Sequence, residues 1–95
     1  ALSRAVVDVS GRPFLSFEPG IKFSHVGSFD GELFEEFWRA FAVNAKMTLH
    51  ISCLAGKNQH HILESMMKAM ACALRMAISY DSRQTGVPST KGVLV

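Results

Sequence analysis

In the run NQHHILESMMK, residues 58–68, His60 and His61 stand side by side, Glu64 follows His60 by four positions, and Lys68 follows Glu64 by four more. On a helix turning about 100° per residue, His60 and Glu64 lie about 40° apart and Lys68 about 40° further on, so the three share one edge. An imidazole and a carboxylate at that spacing are surface neighbours and can grip one divalent ion. His61, about 100° from His60, points away from that ion and suits a second one close by. The same residues also suit a plainer role, a polar first turn whose imidazoles bond exposed backbone groups. HHxxE is also a less specific pattern than the HExxH of zinc proteases.

Other chemistry-bearing residues are more dispersed. Glu36 lies in the run EEF beside Glu32, Glu35 and Arg39, and reads as part of a solvated acidic face near a helix N-terminus, where the helix dipole favours it. His50 alternates with apolar neighbours in MTLHI and reads as a packed or solvent-facing sheet residue, while His25 has no partner at useful spacing. In the tail VPSTKGV, Ser89, Thr90 and Lys91 precede a glycine. Small hydroxyls, free backbone N–H groups and one ammonium suit a phosphate oxyanion. The Gly-x4-Gly-Lys frame of a P-loop is absent.

The elements that must position these groups can be read from periodicity and turn signals. Residues 3–9, rich in β-branched side chains, end at Ser10–Gly11, and residues 12–18 alternate from Phe14 to Pro19–Gly20. The two are expected as a pair of antiparallel strands. Residues 21–28 are expected as a third short strand or a loop. Asp30 is a good N-cap for a helix over 31–45, whose apolar set Leu33, Phe34, Phe37, Trp38, Phe41, Ala42 and Ala45 predicts one buried face. Residues 47–54 alternate as a strand, Ala55–Gly56 breaks it, and Asn58 can cap a second helix over 59–79. That helix would bury Leu63, Met66, Met67, Met70, Ala73, Leu74 and Ala77, and its methionine-rich run reads as core or subunit contact. The order β-β-(β)-α-β-α predicts an α+β domain, a small mixed or antiparallel sheet with two α-helices packed on one face.

Composition bounds the function. Ninety-five residues suit one domain, and a chain that short buries only about 60–65% of its unfolded surface. The net charge is +2 and the ten Lys and Arg are scattered singly, so nucleic acid and anionic membranes are not expected partners. Lys68 and Arg75 interrupt the longest apolar stretch, and no run is long enough for a membrane span. Cys53 and Cys72 lack CxxC spacing and read as reduced, buried thiols of a cytosolic protein. The chain opens at Ala1 directly into a strand-like run, which reads as a segment of a longer protein.

Four motifs in order, DVSGRPF, ELFEEFWRAFAVNAKMTLHI, AGKNQHHILESMMKAMACALRMAI and VPSTKGVL, resemble the C-terminal half of the imidazoleglycerol-phosphate dehydratases. The resemblance covers all but residues 19–29 and 79–86. It implies one of two similar halves of the dehydratase fold, each supplying an HHxxE helix to a centre of two manganese ions (Mn²⁺, with Zn²⁺ as a substitute). By that resemblance His60 and Glu64 bind one ion, His61 binds the other, Lys68 faces the substrate, and Ser89, Thr90 and Lys91 hold its phosphate. Glu36 falls where many members have a histidine ligand, and a carboxylate suits Mn²⁺ as well.

The implied activity is dehydration of imidazole glycerol phosphate to imidazole acetol phosphate in histidine biosynthesis, in the cytoplasm or a plastid. The ions act as Lewis acids, and the carboxylate base lies in an N-terminal half that this chain lacks, so no catalytic base is expected here. Partners are that half and further copies in a symmetric homo-oligomer of two dozen chains. The rival expectations are a non-catalytic module that self-associates through its Met- and Phe-rich helices, and, last, a metallohydrolase.

Overall fold

The computed structural model describes the backbone of residues 1–23, 25–26 and 29–83, and the side chains of those residues except 25, 26, 29 and 80–83. Along the chain come β1 (Leu2–Asp8), β2 (Phe14–Glu18), β3 (His25–Val26), β4 (Phe29–Asp30), α1 (Gly31–Ala45), β5 (Thr48–Ala55) and α2 (Gln59–Arg83). The fold is α+β, with a mixed three-stranded sheet and two helices. The region 21–28, expected as a third short strand or a loop, holds the short strand β3, which pairs antiparallel with β4 just beyond it, outside the main sheet.

β1 and β2 are not paired with each other as expected, because β5 lies between them. It runs antiparallel to β1, with Val6 opposite His50, and parallel to β2, with Ser16 opposite the same histidine. The β1–β2 connection is tied down by the start of β5 rather than closing a tight turn. The Thr48 hydroxyl donates to the Arg12 carbonyl at 2.8 Å, and the Phe14 amide donates to the Met47 carbonyl at 3.2 Å. β5 alternates Leu49 and Ile51, almost fully buried, with the exposed His50. As the strand with the most apolar surface to hide, it takes the centre, where both edges are hydrogen-bonded. Parallel strands need a return crossing, and α1 provides it between β2 and β5.

Both helices pack on one face of the sheet, α1 against β2 and α2 against β1 and β5. Asp30 caps α1, its carboxylate accepting the Glu32 amide at 3.0 Å, and the helix ends at Lys46, which takes the left-handed conformation at φ 56°. The core between the layers joins Leu15, Leu49 and Ile51 of the sheet to Phe34, Trp38 and Ala42 of α1 and to Ile62, Met66 and Met70 of α2.

Three expectations about burial need correcting. Leu33 and Phe37 of α1 and Met67 of α2 are exposed. The expected apolar stripes were wider than the arc that one sheet face can cover. Ile62, absent from the expected set, is fully buried at the start of α2. Both thiols are free, but Cys53 is only half-buried and Cys72 is exposed.

Candidate metal and substrate site

The site begins with the seating of α2. Asn58 caps it: its side-chain oxygen accepts the His61 amide at 3.0 Å and its carbonyl accepts the Ile62 amide at 2.9 Å. Before the cap, Gly56 lets the chain pass close to Ala1 and Ile62. A Cβ there would come within 2.9 Å of the Ala1 Cβ and 3.0 Å of the Ile62 Cγ1. Ile62, Met66 and Met70 turn into the core, which fixes the roll of the helix. At the margin of that buried stripe, the Ser65 hydroxyl donates to the Ser3 hydroxyl of β1 at 2.7 Å.

With that roll fixed, His60, His61, Glu64 and Lys68 all face outward. The two imidazole centroids lie 5.9 Å apart with their planes at 64°. The Lys68 Nζ stands 3.5 Å from Glu64 Oε2, with both side chains more than half exposed. Solvent screens such a pair to roughly 0–1 kcal/mol, so it adds little to folding. His61, Glu64, Ser65, Lys68 and Cys72 line a shallow depression that Ser3 also borders, and His60 lies outside it. The depression thus groups Glu64 and Lys68 with His61 rather than with His60, the residue whose helical spacing set it on their edge.

Glu36 is exposed on α1 and opens onto a different depression, lined also by Phe17, Lys22, Glu32 and Arg39. Neighbouring Glu35 is paired with Arg39 at 2.6 Å. The two depressions share no residue. Among the described residues, no group of three or more His, Cys, Asp or Glu comes close enough to hold a metal ion. The donors suit Mn²⁺ or Zn²⁺ in kind, imidazole nitrogen and carboxylate oxygen, and fall short in number. Ser89, Thr90 and Lys91 lie outside the described residues. His50 is exposed on the sheet face away from the helices, its ring 5.8 Å from that of Phe14.

Sequence reasoning assigned no site role to Ser65 and read Cys72 only as a buried thiol. Cys72 follows Lys68 by four positions, so extending the 60–64–68 ladder one step would have found it. Ser65 could have been found as a small hydroxyl at the edge of the buried stripe.

The same chain can now be set beside known proteins. The family model for imidazoleglycerol-phosphate dehydratase matches residues 1–74. The imidazoleglycerol-phosphate dehydratase of Gluconobacter oxydans is 54% identical over 95 residues, covering 99% of this chain and 48% of the relative. That of Clostridium kluyveri is 55% identical over 94 residues, covering 99% and 48%. The crystal structure of imidazoleglycerol-phosphate dehydratase from Staphylococcus aureus matches with a TM-score of 0.66 at 51% identity, over 70% of this chain and 39% of that one. Spanning about half the length of these relatives, the chain belongs to the imidazoleglycerol-phosphate dehydratase family.

Proposed function

We propose that the chain is the C-terminal half of an imidazoleglycerol-phosphate dehydratase of histidine biosynthesis, acting in the cytoplasm or a plastid. It supplies part of a dinuclear metal and phosphate site that an N-terminal half completes. The observation that carries this reading is the exposure of His60, His61 and Glu64 together at the start of α2, in a chain of this family. His60 and Glu64 would hold one Mn²⁺, His61 the other, and Glu36 is a further ligand brought in by assembly. The bound ions supply Lewis acidity at the substrate's imidazole ring.

The chain's own residues bind and orient. Lys68, exposed 3.5 Å from Glu64, presents an ammonium to the substrate, and Ser89, Thr90 and Lys91 take its phosphate. Dehydration breaks one C–H and one C–O bond of imidazole glycerol phosphate. The C–H proton goes to a carboxylate base of the N-terminal half, the hydroxyl leaves as water by taking up one proton, and the resulting enol tautomerises to imidazole acetol phosphate. Co-assembly of the chain with the N-terminal half of a relative should give manganese-dependent formation of that product. An assembly that binds manganese and forms none contradicts the reading.

A second reading, a non-catalytic self-associating module, is favoured by the exposed Leu33, Phe37 and Val43 of α1 and Met67, Met76 and Ile78 of α2. In the first reading these surfaces receive the N-terminal half and the further copies of the homo-oligomer. An oligomer indifferent to manganese and to His60→Ala and His61→Ala would support the module.

A further inference from the structure

The helices cover one face of the sheet, and the other has no part in the proposed chemistry. Strand register arranges that open face in rows across β1, β5 and β2: Arg4–Ser52–Glu18, then Val6–His50–Ser16, then Asp8–Thr48–Phe14. Val6 and Phe14 are about half exposed, as are Leu2 and Leu54 at one end. Arg4, Val6, Ser16, Glu18, His50 and Ser52 line one shallow depression. Arg4 and Glu18 stand on opposite edge strands of a single row, about 10 Å apart at two strand spacings, with Ser52 between them. Among the described residues neither takes part in an ion pair.

We propose that this face is a contact between two copies of the chain, packed sheet on sheet about a twofold axis running along β5. The charge pattern across the first row is positive, neutral, negative. Rotation by half a turn about β5 exchanges the edges, setting Arg4 of each copy over Glu18 of the other and bringing Ser52 and His50 onto the axis. Val6 then lies over Ser16 and Asp8 over Phe14, so no two carboxylates and no two guanidinium groups meet. A twofold contact is self-complementary, and this row has that property built in, whereas any other partner would have to supply the pattern itself. Packed sheets lie about 10 Å apart, a gap that the long Arg and Glu side chains can span from both sides.

A twofold across the strands would instead pair Arg4 with Asp8 and set Glu18 over Phe14, the same number of charge pairs. Arg4 and Glu18 line the same depression and Asp8 does not, which favours the axis along β5. The open face, three strands wide and about five residues long, offers on the order of 250 Å² per copy. A stable interface uses about 800 Å² per partner. The contact is therefore a weak one, sensitive to salt, and it orders copies that other surfaces also hold.

The test is sedimentation of the chain over a concentration series at low and high salt. Arg4→Glu and Glu18→Arg should each weaken self-association roughly tenfold, since each breaks two pairs and adds repulsion. The double variant Arg4→Glu/Glu18→Arg should restore it, and Phe37→Glu on the helical side should leave the charge-swap pattern unchanged. Association indifferent to the single swaps, or not regained in the double variant, overturns the proposal. So does restoration by Arg4→Glu/Asp8→Arg, which would turn the axis. A strictly monomeric chain at high concentration also overturns it, as does loss of the swap-sensitive association on adding a relative's N-terminal half.

Discussion

The Ser65 hydroxyl of α2 meets the Ser3 hydroxyl of β1 at 2.7 Å, joining residues 62 positions apart in the chain. Ser65 directly follows Glu64 and precedes Lys68 by three, so this bond holds the helix at the point where its outward edge carries candidate ligands. Ser65→Ala leaves the half-buried Ser3 hydroxyl without that partner, and should cost about 1 kcal/mol. In a domain of this size that lowers Tm by roughly 4–8 °C. Calorimetric unfolding of the two proteins checks it; Ser65→Thr should recover part of the loss if its hydroxyl reaches Ser3.

Lys68 should behave in the opposite way. Its pair with Glu64 is exposed and 3.5 Å long, so Lys68→Met should change stability by no more than about 0.5 kcal/mol. In the assembled enzyme the same substitution should raise KM for imidazole glycerol phosphate at least tenfold, because an ammonium facing the substrate is lost. Measuring Tm and KM on one variant separates the two roles. A large fall in Tm would make Lys68 a structural residue.

Much of the frame was legible because local chemistry determines it. Asp30 and Asn58 are good caps in sequence and both accept the expected amides. The alternation around His50 located β5. Its place between β1 and β2 was not legible, since turn signals at Ser10–Gly11 describe a reversal of direction and say nothing of a strand inserted later in the chain. Exposed Leu33 and Phe37 could not be told from buried Phe34 by spacing, because a surface that meets a partner carries the same helical period as one that meets the core. At the candidate site, the placing of the tandem histidines on the first turn of α2 was legible from residue type and spacing. The placing of Glu36 on a different depression from His61 and Glu64 was not, since it depends on how α1 and α2 pack on the sheet, which no local pattern encodes.

The reading of His60–His61 as a two-ion device, completed by another half, is decided by metal stoichiometry. Manganese should be titrated calorimetrically into the chain alone and into its assembly with a relative's N-terminal half. The assembly should bind two ions per site tightly. His61→Ala and His60→Ala should each remove one of them, and the chain alone should bind manganese only weakly, as its donors are too few. Two tightly bound ions that survive both substitutions, or full stoichiometry on the chain alone, would contradict it.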